Sequence, residues 1–266
     1  MAGGTGGRYE LRLIEGGGDL RPILDLRRRA FGAAFGPAAA AVAGRRDAQD
    51  PRCRHLVVAA ADGTPVACCR LRLYPDIAAA DRGYTGGYYD LRPLFHLDAP
   101  AMELGRLCER PGWRDPDILR LLWAGIARLI GDGGVRLVIG CTSLAGTEPD
   151  AHAAALARLR ALHLGPRNLR PAARAAETVP LPALADPVAP AGSLPPLLRS
   201  YLALGGWVSD HAVIDRAMGT LHVFTALDVR SVPPGRARLL RVLAQRVRLS
   251  AESGRDGAVD GATGAD

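Results

Sequence analysis

Met102–Ile130 reads MELGRLCERPGWRDPDILRLLWAGIARLI, and its halves follow different periods. Ala101–Cys108 is a short apolar run of strand length. From Pro116, with Asp115 as the capping residue before it, apolar residues recur at helical spacing: Ile118, Leu121, Leu122, Ile126, Leu129 and Ile130. Another apolar run, Val135–Ser143, follows the helix. Strand, helix and strand over Ala101–Ser143 predict a parallel β-α-β unit. Two charges interrupt its first strand, Glu103 and Arg106. Residues i and i+3 of a regular strand point to opposite faces, so the two can act together only if the strand is distorted. Gly105 between them marks a bulge position.

Outward from this unit, Tyr9–Glu15 alternates as a strand, and Asp19 caps an arginine-rich helix running to Phe31. Pro37–Gly44 is a short alanine-rich helix or loop. His55–Ala61 and Val66–Leu73 flank the turn Asp-Gly-Thr as a hairpin, and Tyr84–Phe95 is an aromatic connection. Beyond the unit come a helix at Asp150–Leu162, a proline-rich connection at Pro180–Pro196, a helix at Leu197–Leu204, strands within Trp207–Val229 and a helix at Arg236–Arg248. Residues 1–8 and the glycine-rich tail 250–266 are expected to be disordered. An antiparallel start leading into a parallel unit makes a mixed, twisted α/β sheet.

Composition narrows the function. The chain has 266 residues, 48% of them apolar, enough for a packed core. No apolar run is long enough to span a membrane, and the N-terminus lacks a secretory apolar segment. Five cysteines with no CxxC pair predict buried thiols in a reducing, cytoplasmic setting, and the six histidines lack ligand spacing, so no metal is expected. The +7 charge is carried entirely by arginine. It suits a GC-rich genome, or equally a surface for phosphates, anionic lipid or an acidic protein. Without basic runs interleaved with aromatics, nucleic acid is not expected as a partner.

Several motifs together resemble the Gcn5-related N-acyltransferases, and within them the bacterial enzymes that acylate the α-amine of ornithine or glutamine in aminolipid synthesis. LRRRAFG contains Arg27 and Phe31 at the family's Arg-x-x-x-Phe spacing. RDAQD contains Asp47 and Asp50, and CCRLRL contains Arg70. MELGRLC is similar to the family's Glu-Leu-Gly-Arg strand. GCTSLAGTEP (140–149), with Ser143, and LPPLLRSYLALGGWVSDHAVID (194–215), with Asp210 and His211, are similar to segments of the lipid-forming enzymes. The resemblance spans Tyr9–Val232. Leu107, His211 and a GYTGGYYD loop without the family's usual acidic residue depart from the common pattern, which leaves the acceptor open among ornithine, glutamine and other amino acids.

The resemblance implies a sheet of the Gcn5-related N-acyltransferase type with a splayed parallel pair. An N-acyltransferase core would occupy 9–165, and a C-terminal α/β extension of the same fold 166–249. It further implies transfer of a long 3-hydroxyacyl chain from acyl carrier protein, in the cytoplasm or at the inner membrane surface, with no cofactor beyond the carrier's acyl-phosphopantetheine. Glu103 is then the general base for an amine that is mostly protonated at neutral pH; taken alone, Glu103 and Arg106 read as a salt bridge. Arg106 or Arg70 would hold the acceptor's carboxylate as a fork, and Asp47 and Asp50 its ammonium, or else cap a loop. His211 and Asp210 would touch the acceptor side chain. The turn ERPGWRDPD has a single glycine and makes a poor dinucleotide nest, while Arg110 and Arg114 there would meet the donor's phosphodiester or the carrier. A homoserine-lactone synthase, an acetyl-CoA-dependent enzyme and a non-catalytic lipid or carrier binder are the other classes this pattern admits.

Overall fold

A computed structural model describes residues 8–183 and 194–252. The expected disorder of 1–7 and of 253–266 falls outside the described residues, as does part of the proline-rich connection. The strands are β1 (Tyr9–Glu15), β2 (Arg54–Ala60), β3 (Pro65–Tyr74), β4 (Tyr89–Asp90), β5 (Ala101–Glu109), β6 (Leu137–Ala145), β7 (Ala172–Ala173), β8 (Thr178–Pro180), β9 (Trp207–Asp215), β10 (Thr220–Asp228) and β11 (Ser250–Glu252). The helices are α1 (Arg21–Phe35), α2 (Pro37–Ala43), α3 (Ile77–Ala80), α4 (Pro116–Asp132), α5 (Ala153–His163), α6 (Pro196–Ala203) and α7 (Pro234–Arg246).

Among the described residues, nine strands form one sheet in the order β11-β1-β2-β3-β5-β6-β10-β9-β8, and β4 pairs with β7 apart from it. The β1–β11 and β5–β6 pairs are parallel and the others antiparallel. Three sequence expectations change. Helix α1 runs one turn beyond Phe31, to Phe35, and its cap position is Leu20. Asp19 is displaced by one residue but still accepts the Arg21 N–H (3.0 Å). The tail does not begin at Ser250, because Ser250–Glu252 pair with Arg12–Ile14 of β1, and the Ser250 hydroxyl donates to Glu10 (2.7 Å).

Both faces of the sheet's middle are covered, which explains why β2 and β3 read as near-continuous apolar runs. Leu56, Val58, Cys69, Leu71, Met102 and Val138 pack under α4, while Val57, Cys68 and Cys108 meet α1 and α2 on the other face. The α4 stripe buries Ile118, Leu122, Ile126 and Leu129, with Leu121 and Ile130 at its flanks. Asp115 caps the helix by accepting the Asp117 N–H (3.0 Å). Gly125 faces the sheet, where a Cβ would come within 2.6 Å of Leu11 Cδ2 and 2.8 Å of Leu56 Cδ2. No helix among the described residues is long and apolar enough to cross a membrane.

The β-α-β unit opens just where its charges lie. β5 and β6 pair only at Ala101–Leu137, Met102–Val138 and Glu103–Ile139. Beyond Glu103 the strands part: β6 continues along β10 to Ala145, and β5 along β3 to Glu109. β5 also bulges, because Arg70 pairs with Gly105 and Cys68 with Cys108, so three steps on β5 oppose two on β3. The left-handed residue is Arg106 (φ 52°), one position after the expected glycine.

Candidate active site

The opening between β5 and β6 is a cavity of about 360 Å³ that passes through the sheet. On the α1 face its wall carries Phe31, Arg70, Glu103, Arg106, Asp215 and His222. On the α4 face it is apolar, with Leu104, Leu107, Leu119, Trp123, Pro196 and Tyr201. The bulge places Arg106 on the same face as Glu103 despite their odd separation, since the extra residue reverses the alternation.

Glu103 and Arg106 share this wall without pairing. The Glu103 carboxylate, 7% exposed, accepts from the Tyr74 hydroxyl (2.8 Å), the Tyr84 N–H (3.2 Å) and the Thr85 N–H. The loop GYTGGYYD is thus a cradle of backbone donors for that carboxylate. Its glycines permit the approach: a Cβ on Gly83 would collide with the Tyr74 hydroxyl, and one on Gly86 with the Asp81 carbonyl. Arg106 instead pairs with Asp47 (3.2 Å), and its guanidinium lies over the rings of Tyr84 (5.6 Å) and Phe31 (5.9 Å).

Behind Arg106 runs a buried ionic chain. Arg70 Nη1 donates to both Asp47 oxygens (2.7 Å each) and to Asp50 Oδ1 (3.1 Å), and Arg27 donates to Asp50 (3.0 Å) and to His55 Nδ1 (2.9 Å). Burial, then the Arg27 charge, push His55 down to about 4. Its ring is therefore neutral, with Nε2–H facing the Asp50 carbonyl (3.2 Å). Burial raises the Asp47 carboxyl, but the Arg70 charge and hydrogen bonds outweigh it and hold it well below the usual range.

The candidates singled out in the sequence therefore divide. Phe31, Arg70, Glu103, Arg106 and Ser143 meet at the cavity. Asp47 lies behind Arg106. Asp50 and Arg27, 0% and 1% exposed, lie off the cavity wall and hold each other's charge, and Asp47 and Asp50 also cap their own loop by accepting the Gln49, Asp50 and Asp47 N–H groups. Asp210 and His211 also miss the cavity. Asp210 points outward to Arg170 (3.9 Å), and His211 is buried against the Tyr89 ring (5.3 Å). Arg110 is tied to the Pro65 carbonyl (3.0 Å), whereas Arg114 is exposed in a shallow depression with Arg8 and Trp113 at the α4 N-terminus.

Tyr74, Asp215 and His222 were missed. A histidine interrupting the apolar run Leu221–Phe224, and an aspartate closing β9, were the available signals. Neither shows from sequence alone that it faces a cavity. Four cysteines are buried, and Cys141 lies in the cavity wall.

A family model described as an acetyltransferase (GNAT) domain matches residues 26–124. An L-ornithine N(alpha)-acyltransferase of Rhodobacter capsulatus is 31% identical over 84% of this chain and 91% of its own length. One of Brucella abortus is 32% identical over 85% and 86%. Among solved structures, the CoA-dependent acyl-homoserine lactone synthase BjaI is similar with a TM-score of 0.44 at 14% identity, covering 93% of this chain and 95% of that one. FeeM, an N-acyl amino acid synthase from uncultured soil microbes, has a TM-score of 0.43 at 9% identity, covering 84% and 93%.

Proposed function

The chain belongs to the L-ornithine N(alpha)-acyltransferase family and is an acyltransferase; on that premise we propose that it moves a long acyl chain from a thioester to the α-amine of ornithine, forming a lyso-aminolipid. The observation that carries this reading is the cavity through the sheet, charged on one face and apolar on the other, with Glu103 where β5 and β6 part.

In this reading the acceptor enters the charged side. Its carboxylate meets Arg106, which keeps donor capacity beyond its bonds to Asp47 and to the Met218 sulfur. Glu103 takes a proton from the α-ammonium, directly or through water, and the freed amine attacks the thioester carbonyl carbon. The C–N bond forms, the C–S bond breaks, and the thiol leaves with a proton. Beyond Glu103 the β5 backbone has no β6 partner, so it offers the amides of a pantetheine arm an edge to pair with, as an added strand would. The acyl chain lies on the α4 face among Leu104, Leu119, Trp123 and Tyr201.

Acyl carrier protein is the proposed donor and a 3-hydroxyacyl chain its cargo. Glutamine is the second acceptor to test. Peripheral contact with the inner membrane is proposed through α7, which exposes Leu239 and Val242 among Arg236, Arg238 and Arg241. The test is incubation of the purified protein with acyl carrier protein thioester and either ornithine or glutamine, with products read by mass spectrometry. An Nα-acylornithine is expected. A lactone, or no acyl-amino acid with either acceptor, would overturn the reading.

A further inference from the structure

Within this charged side lies a second polar pole that the reaction above leaves unused. His222 is 2% exposed and lines the cavity, and its Nε2 has no hydrogen-bond partner. Its tautomer follows from its neighbours. The single Tyr89 hydroxyl proton goes to the His222 carbonyl oxygen (2.9 Å), so Nδ1, 3.2 Å from the same oxygen, must carry a hydrogen and donate it. Nε2 is left as a bare acceptor. Burial holds the ring neutral by pushing His222 down to about 4.

Asp215, 7% exposed, lines the same cavity. It sits two register positions from His222 on the same face of the sheet, since Thr220 pairs with Asp215 and His222 with Val213. One of its oxygens accepts the Met218 N–H (3.0 Å), and no cation pairs with it among the described residues. Asp47 and Asp50, by contrast, are both paired with arginine. A buried carboxylate beside a bare imidazole nitrogen is a site for a cation that donates hydrogen bonds.

We propose that Asp215 and His222 form a subsite for the side-chain ammonium of the acceptor amino acid. This deepens the reading above and rests on it. The α-amine is already assigned to Glu103. His222 lies opposite Ser143, four residues along β6 from the Ile139 that pairs with Glu103, and on the next strand. At about 3.3 Å per residue and about 4.8 Å per strand, the two backbones are too far apart to serve one ammonium. The formal charges agree. Arg27, Arg70 and Arg106 exceed Asp47 and Asp50 by one positive charge, while Glu103 and Asp215 supply two negative ones. A diamino acid carries the complement, one carboxylate and two ammonium groups. Glutamine has one ammonium; its carboxamide could donate hydrogen bonds there but would leave the Asp215 charge uncompensated.

The test compares ornithine with norvaline, which keeps the carbon chain and lacks the δ-nitrogen. In the wild type kcat/KM should favour ornithine roughly 10- to 100-fold, the range expected for hydrogen bonds to a charged group. Asp215→Asn and His222→Phe should each draw the ratio toward one. A wild-type ratio near one overturns the subsite, as does a ratio unchanged in both variants or a loss shared equally by both acceptors. Acyl transfer to norvaline at the same rate would still leave the acyltransferase reading standing. Failure of the wild type to acylate either amino acid would instead sink that reading.

Discussion

Glu103 receives three hydrogen-bond donors, and a glutamine there would have one acceptor oxygen to meet them. The Tyr74 hydroxyl can rotate to accept from the new amide, but the backbone N–H groups of Tyr84 and Thr85 cannot. Glu103→Gln should therefore lose some stability, on the order of 1–3 kcal/mol, and lose turnover by about 100-fold or more. Near-wild-type turnover in the purified variant would remove Glu103 as the base. Arg106 makes a different demand. It bridges Asp47 and lies over two rings in a left-handed backbone conformation. Lysine keeps the charge without the planar fork, so Arg106→Lys should lower kcat/KM roughly 10-fold or more while Asp47 keeps its bond to Arg70. Steady-state kinetics with unchanged KM and kcat would return Arg106 to a purely structural role.

At the scale of elements, the close contact of β5 and β6 where they begin to part depends on Gly140. A Cβ there would collide with the Leu104 carbonyl oxygen, at the step just past the last β5–β6 pair. Gly140→Ala must push one strand away from the other, and overpacking of this kind costs about 1–3 kcal/mol. The unfolding midpoint should fall by a few degrees, and the cavity mouth should change with it, so that KM for the acyl donor shifts as well. An unchanged midpoint would show that the close contact at the splay is not constraining. The sequence marked the bulge correctly at Gly105 but not the residue that carries its backbone strain. Gly105 does lie in the bulge, but the positive φ belongs to Arg106, whose side chain is held there by Asp47 and two aromatic rings. Those partners come from α1, the loop after α2 and the loop after α3, which no pattern within β5 can reveal.

Over the whole molecule, buried histidines set a pH dependence. Both His55 and His222 are held near 4, chiefly by burial and for His55 also by the Arg27 charge, against about 6.5 in the unfolded chain. Between those values the unfolded state binds protons that the folded state refuses. Stability should therefore fall as pH drops from about 6.5 to 4, by on the order of 3 kcal/mol for each histidine. Below about 4, protonation of Asp47 removes a further contribution, because its folded value is depressed. Thermal unfolding from pH 7 to 4 checks this, and a flat midpoint would contradict it. The surface charge makes a separate prediction. Arg27 is sealed inside, Arg28 and Arg29 are paired with Asp25, and Arg110 is tied to a backbone carbonyl, so of the arginines the sequence singled out Arg114 is left to steer the proposed acidic carrier. The second-order rate with a carrier-borne thioester should fall steeply between about 50 and 300 mM salt, and much less with a small thioester. Equal slopes would count against docking by charge.

The sequence by itself determined the elements of the β-α-β unit, the strand carrying Glu103 and Arg106, and the family. Periodicity, capping and motif order are local and survive in a linear string. Only the tertiary structure decided which charges face the cavity. Arg27, Asp47 and Asp50 read as binding residues, yet two of them are buried in mutual pairing, and the cavity wall carries Asp215 and His222 but not Asp210 or His211. The reason is that β10 sets its facing through pairing register with β6, and β9 through β10, and a buried ion's role depends on partners far along the chain. Asp47 and Arg106 are 59 residues apart in sequence, and 3.2 Å apart in the fold.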